Sequence, residues 1–321
     1  MGLKKCGYVW MDGSFVPWED AHVHALTHAL HYGTGVFEGI RCYETAQGPA
    51  IFRLKEHVAR LFRSAKLYKM PMRHTQHEVA QAVKELVKKN GLKSCYIRPL
   101  SFYGYGNMGL TPLECPVQTI IACWSWGNLL GEEGLKTGIT ARVSSWRRIG
   151  SNSLPMQAKG TGQYANSMMA KMEALHSGVE EAIMLNEAGY IAEGSGENVF
   201  AVKDGVLYTP PTSAGILDGI TRASVIEIAR SSGIKVREEN FLPDFLHLAD
   251  EVFFSGTAAE IMPIREIGGI QVGEGKPGPV TRKIQQSFFG IIKGRDPQFA
   301  RWLDYVEEPQ AGRVTAAAVQ C

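Results

Sequence analysis

The sequence predicts an α+β fold, on three observations. Turn-linked strand pairs recur along the chain. Amphipathic helical stretches separate them without the strict strand–helix alternation of a doubly wound sheet. The 321 residues, 45% of them hydrophobic, suffice for a sizeable core divided between two domains.

Each element follows in order. Residues 55–70 predict a helix, with Val58, Leu61, Phe62 and Ala65 on one face. A second helix begins at Thr75, where Glu78 completes a capping box and Gly91 follows the end of the pattern. Residues 96–103 and 117–124 predict strands. Residues 126–138, with four glycines, predict the linker between a smaller N-terminal domain (1–125) and a larger C-terminal one (139–308). The second domain opens with a strand at 139–145, a loop to Gly162 and a helix over 164–176. Turn-linked strands follow at 181–186 and 189–193, then at 198–202 and 206–209 around Asp204-Gly205. Helices at 221–231 and 281–292, with strands at 234–237 and 251–255, complete it. Residues 309–321 are expected to be a disordered tail.

Composition excludes several functions. Lys plus Arg number 34 against 32 Asp plus Glu, a net charge of +2, and no long charged block predicts a nucleic-acid or membrane partner. The pairs Lys4-Lys5, Lys88-Lys89 and Arg147-Arg148 fit solvated surface. Six scattered cysteines without a C-x-x-C pair predict free thiols of a reducing compartment. His22, His24, His28 and His31 lie close together, but no cysteine or carboxylate completes a ligand set, so no metal is expected. The N-terminus lacks a signal-like apolar region, and Cys6 breaks the myristoylation pattern. No apolar run approaches the roughly 18 residues of a membrane span, which predicts a soluble, cytoplasmic protein.

Two glycine-rich stretches imitate dinucleotide sites. Gly104-Tyr-Gly-Asn-Met-Gly109 follows a strand, but Pro112 and Pro116 forbid the required helix and no acid stands about twenty positions on. Gly160-Thr-Gly-Gln-Tyr-Ala165 enters a helix without a strand leading directly into it.

A different chemistry fits better. A pyridoxal 5'-phosphate site needs a lysine to carry the cofactor, a carboxylate for the pyridine nitrogen, and helix N-termini with a cation for the phosphate. Lys159, in Met156-Gln-Ala-Lys-Gly-Thr-Gly162, lies among small and polar neighbours in a loop entering a helix, a setting suited to nucleophilic work. Glu193 opens Glu-Gly-Ser-Gly-Glu-Asn198, whose glycines permit close backbone approach. Gly219-Ile-Thr-Arg222 and Ser255-Gly-Thr-Ala-Ala-Glu260 offer N–H groups and a hydroxyl for an anion, although each alone fits an ordinary helix cap.

From about Gly7 to Val306 the chain resembles the branched-chain amino acid aminotransferases of the fold-type IV pyridoxal-phosphate class. The resemblance rests on His31-Tyr-Gly-Thr-Gly-Val-Phe-Glu-Gly-Ile-Arg41, Tyr96-Ile-Arg-Pro99, Glu193-Gly-Ser-Gly-Glu-Asn198, Leu217-Asp-Gly-Ile-Thr-Arg222 and Ser255-Gly-Thr-Ala-Ala259. It implies Lys159 as the Schiff-base lysine and Glu193 as the partner of the pyridine nitrogen. Tyr164 would contact the cofactor's phenolic oxygen, and Arg60, Ile220, Thr221 and Thr257 the phosphate. Tyr96 and the backbone at Thr257-Ala258 would take the substrate α-carboxylate, with Arg41 also at the substrate. Phe37, Trp126 and Tyr164 would line an apolar pocket, with Tyr32 and Leu110 of a second subunit. Arg98 would reach the distal carboxylate of glutamate. Leu129 stands where better-known bacterial members often carry tyrosine, making that wall more apolar.

The resemblance thus implies reversible amino transfer between leucine, isoleucine or valine and 2-oxoglutarate, by a homodimer or higher homo-oligomer. Alternatives within the fold class are a D-amino acid aminotransferase, an amine transaminase and an aminodeoxychorismate lyase. A non-catalytic cofactor-binding scaffold would not need Lys159.

Overall fold

The structure, a computed structural model, describes residues 4–125 and 131–308. Strands of the first half are β1 (Tyr8–Met11), β2 (Ser14–Pro17), β3 (Gly35–Phe37), β4 (Ile40–Thr45), β5 (Gly48–Phe52), β6 (Cys95–Tyr103) and β7 (Val117–Trp124). The second half adds β8 (Ile139–Val143), β9 (Glu181–Leu185), β10 (Ile191–Gly194), β11 (Asn198–Lys203), β12 (Val206–Thr209), β13 (Val236–Glu238), β14 (Glu251–Gly256), β15 (Glu260–Ile267), β16 (Ile270–Gln271) and β17 (Leu303–Tyr305). The helices are α1 (His28–Tyr32), α2 (Leu54–Leu67), α3 (Gln76–Lys89), α4 (Gly131–Thr137), α5 (Tyr164–His176), α6 (Ile220–Ser231), α7 (Pro243–Leu248) and α8 (Pro279–Ile292).

The strands form two sheets, in the mixed helix-and-strand arrangement of an α+β fold. The first runs β17-β5-β4-β6-β7-β1-β2, with β3 beside β6, and its pairings are antiparallel. The second runs β10-β9-β8-β15-β14-β11-β12-β13, with β16 beside β15. It contains the parallel pairs β8–β9, β8–β15 and β12–β13. Because β10 also pairs with β11 through Glu193↔Asn198, the strands from β10 round to β11 close on themselves.

Periodicity explains the helices. On α2, Val58, Leu61 and Ala65 are buried, and on α3 Val79, Ala82, Val83, Leu86 and Val87 are, so both helices lay one stripe on the first sheet. Thr75 and Glu78 form the expected capping box at α3. The expected helix to residue 70 stops at Leu67 because Lys69 takes a left-handed backbone angle, φ +55°, and Met70 N–H bonds back to Ala65 O.

Several features depart from the sequence expectations. Within the segment read as linker, residues 131–137 form α4; Trp126, Leu129 and the expected tail 309–321 lie outside the described residues. The stretch 255–260, read as an anion cradle or helix cap, leads into no helix: a hairpin turn joins β14 to β15, with Gly256 opposite Glu260. Its apolar successors Ile261, Met262 and Ile264 belong to a buried strand. Finally, β17 leaves the second half of the chain and pairs with β5 in the first sheet, Leu303 facing Phe52. One apolar cluster consequently joins Tyr43, Ala50 and Phe52 to Phe200, Phe253, Phe288 and Trp302.

Candidate active site

A cleft with about 550 Å³ of empty space is lined by residues of both halves, among them Arg60, Lys159, Tyr164, Glu193, Thr221 and Thr257.

Lys159 is fixed through its backbone. Its N–H donates to Ser64 Oγ (3.0 Å), and its carbonyl accepts from Phe37 N–H (3.0 Å), pinning the loop between α2 and β3. The ammonium donates to the Tyr164 hydroxyl at 2.6 Å and lies 5.0 Å from the Phe37 ring centre. Tyr164 and Phe37 meet edge to face at 4.7 Å.

Glu193 sits where β10 meets β11. Its carboxylate accepts from Arg148 Nη2 (2.9 Å), Asn198 Nδ2 (3.2 Å) and Leu217 N–H (3.0 Å). Burial pushes its pKa up, opposed by Arg148, the Leu217 N–H and Lys159. Arg148 is a correction to the sequence reading: it is 7% exposed, lines the cleft and pairs with Glu193. Adjacent Arg147, which is exposed, fits the surface expectation. An Arg-Arg dipeptide in a loop carries no periodicity that could have separated the two.

Arg60 also has a partner that sequence reasoning missed. Glu38 accepts from Arg60 Nε (2.7 Å) and Nη2 (2.9 Å), and from His57 Nδ1 at 2.7 Å, all three side chains being buried. Burial would raise the Glu38 pKa, but Arg60 and His57 outweigh it and hold the carboxyl well below the usual range. Burial lowers the His57 pKa despite Glu38. An ionised Glu38 only accepts, so Nδ1 carries the proton of a neutral imidazole. Arg60 Nη1 donates to the carbonyl of Asp218 (2.8 Å), just before α6. The Phe-Glu-Gly-Ile-Arg motif held the signal for Glu38, an acid within an apolar run. Its partners lie on α2, about twenty residues away.

Ile220 and Thr221 open α6 at the cleft wall, with Ser255, Gly256 and Thr257 also lining it. Gly219 has no room for a side chain, since a Cβ would collide with Asn198 Oδ1. Glu197, which the sequence reading left without a role, also lines the cleft and is buried; burial and then neighbouring Glu181 push its pKa up to about 8.

Beyond Lys159, Tyr96 is 5% exposed and its hydroxyl accepts from Arg98 Nη2 at 3.2 Å. The Arg98 guanidinium lies 4.7 Å from the Phe37 ring centre, so Phe37, Tyr96 and Arg98 cluster beside the lysine. Arg41 faces Tyr96 across β4 and β6, but its charge approaches Glu260 (4.0 Å) and the Tyr43 ring (5.3 Å). Ala258 lies in the 257–259 turn. Tyr32 and Leu110 are exposed, at 41% and 82%, and do not line this cleft. The histidine cluster serves local structure: His28 bonds Thr34 Oγ1 (2.8 Å) and Gly109 O (2.9 Å), and His31 bonds Ala25 O (3.0 Å).

The family model of class IV amino-transferases matches residues 35–267. The branched-chain-amino-acid aminotransferase of Escherichia coli (strain K12) is 50% identical over 309 residues, which are 96% of this chain and 100% of that one. A crystal structure of the Escherichia coli enzyme superimposes with a TM-score of 0.93, over 94% of this chain and 100% of that one. The branched-chain amino acid aminotransferase of Thermoproteus uzoniensis, solved with norvaline, is 42% identical with a TM-score of 0.90, covering 94% and 100% of the two chains. Another solved branched-chain amino acid aminotransferase, complexed with N-(5'-phosphopyridoxyl)-L-glutamate, is 47% identical with a TM-score of 0.91. With a family model spanning more than half of the sequence and relatives alike from end to end, the chain belongs to the class IV aminotransferases, and among them to the branched-chain amino acid aminotransferases.

Proposed function

We propose that the protein transfers an amino group reversibly between L-leucine, L-isoleucine or L-valine and 2-oxoglutarate, using pyridoxal 5'-phosphate held by Lys159. The observation that carries this reading is the meeting of Lys159 and buried Glu193 in one cleft, beside the helix start at Ile220-Thr221.

The residues fit the cofactor. Ser255 Oγ is buried at the cleft without a hydrogen-bond partner among the described residues, as a hydroxyl reserved for a ligand would be. Gly219 leaves room for the Asn198 side chain, and the first N–H groups of α6 beside it suit an anion. Arg60, Ile220, Thr221 and Thr257 would hold the phosphate, Tyr164 the phenolic oxygen and Glu193 the pyridine nitrogen. Once bound, the cofactor supplies the electron sink that acidifies the substrate's Cα–H bond.

The chain's own groups do the rest. Lys159 Nζ moves the proton at Cα, a task for a positioned amine, and the Tyr164 hydroxyl 2.6 Å away orients it. Tyr96 and the backbone of Thr257 and Ala258 take the α-carboxylate, with Arg41 nearby. Phe37 and Tyr164 form the apolar wall, completed by Tyr32 and Leu110 of the partner subunit in a homodimer or larger assembly. Arg98, above Phe37, lets the same pocket receive the distal carboxylate of glutamate. Free thiols at the five described cysteines suit a reducing compartment, the cytoplasm.

The test is to mix cofactor-loaded protein with L-leucine and follow its visible absorbance. Loss of the yellow band, restored by 2-oxoglutarate, supports both halves of the reaction. Bleaching by D-alanine or an aminochorismate, but not by L-leucine, would move the substrate assignment to another branch of the fold class.

A further inference from the structure

The turn between β14 and β15 contains three residues, 257–259, and its closing residue Glu260 has φ +57°. A left-handed backbone at the residue that closes the hairpin is a conformation that glycine adopts without strain. This chain puts a glutamate there, only 5% exposed. Backbone strain at a buried side chain points to work done by that side chain.

The contacts of Glu260 show what that work is. Its Oε1 accepts from the Tyr43 hydroxyl at 2.9 Å and lies 4.0 Å from Arg41 Nη2. The Arg41 guanidinium in turn lies 5.3 Å from the Tyr43 ring centre. Tyr43 and Arg41 belong to β4 in the first sheet, while Glu260 begins β15 in the second. Arg41 faces Tyr96 in the β4–β6 register. One carboxylate therefore ties the turn carrying Thr257 and Ala258 to the strand beside Tyr96, and these are the two groups assigned above to the substrate α-carboxylate.

We propose that Glu260 is a positioning residue for the α-carboxylate subsite, a clamp through Tyr43 and Arg41 that sets the distance between the backbone of Thr257 and Ala258 and the side chain of Tyr96. A glycine at 260 would close the hairpin equally well but could not hold the two sheets in register. This proposal rests on the substrate reading given above.

The experiment compares Glu260→Gly, Glu260→Gln and Tyr43→Phe with wild type in the cofactor-loaded protein. Glu260→Gly keeps the turn's left-handed backbone and removes the whole side chain with its carboxylate, whereas Glu260→Gln keeps the side chain's length. Glu260→Gln and Tyr43→Phe guard against a folding defect in any one variant. Two dissociation constants are measured: that of 4-methylvalerate, a branched carboxylate without an amino group, and that of pyridoxal 5'-phosphate. KM and kcat are followed for L-leucine and 2-oxoglutarate. Glu260→Gly is expected to weaken 4-methylvalerate about tenfold and raise both KM values alike, with cofactor affinity and kcat within about twofold. Tyr43→Phe should shift the same quantities by about threefold, and Glu260→Gln by an intermediate factor. If wild type binds 4-methylvalerate and the variants bind it equally well, the clamp is refuted while the substrate reading stands. Equal loss of cofactor affinity would also refute it, making Glu260 general scaffold. A wild-type protein that neither binds 4-methylvalerate nor turns over leucine would overturn both.

Discussion

Glu38 and Glu197 are both buried carboxyls, and their neighbours drive them to opposite states. Glu38 is ionised because Arg60 and His57 face it. Changing Glu38 to Gln would strand the Arg60 charge in the interior, a loss expected to cost about 3–5 kcal/mol in urea unfolding of the cofactor-free protein. Glu197, raised from 4.5 to about 8, prefers its neutral form in the fold. Its contribution is therefore favourable below the unfolded pKa and is lost as pH rises from about 4.5 through about 8. Glu197→Gln should accordingly gain stability relative to wild type on going from pH 6 to pH 9, by roughly 2–4 kcal/mol; parallel unfolding curves at the two pH values would contradict this. Legibility at this scale was uneven. Lys159 and Glu193 stood out because small, flexible neighbours surround them, whereas Arg148 was hidden by an exposed twin and Glu38 by its distance in sequence from Arg60. Charge pairing across the fold leaves no local trace.

Helices announce themselves and long-range strand partners do not. The buried stripes of α2 and α3 and the Thr75 cap were readable because helix period and capping are local. Thr75→Ala should cost about 1 kcal/mol, measured as a shift in the urea midpoint. Of the two readings of 255–260, anion cradle or helix cap, the helix does not follow, because small residues after an apolar strand suit a turn as well and only pairing with β15 decides. At α6 the start of the helix matters more than its length. Gly219 has φ −72°, so alanine is tolerated by the backbone, yet its Cβ would push Asn198 off Glu193 and the Leu217 carbonyl. Gly219→Ala should therefore weaken pyridoxal 5'-phosphate binding at least tenfold, read by cofactor titration, while the far-ultraviolet dichroism stays that of wild type.

At the scale of the molecule, the two sheets share their apolar interior. Phe52 contacts Phe288 and Trp302 edge to face, at 5.5 and 5.8 Å, so a side chain of β5 packs on α8 and on the residue preceding β17. Trp302→Ala is expected to cost roughly 3–5 kcal/mol. Both halves should then melt in one calorimetric transition at lower temperature; two separated transitions would show that the sheets are independent. The α+β class was legible from turn-linked strands, but the return of β17 was not, because its three residues carry no pattern of their own. That return has a consequence for synthesis. On the ribosome, β5 must wait for nearly the whole chain before its partner emerges, and an unpaired edge strand invites association between nascent chains. Pro49, which lacks a backbone N–H, lies on this strand and leaves that edge one donor short during the wait.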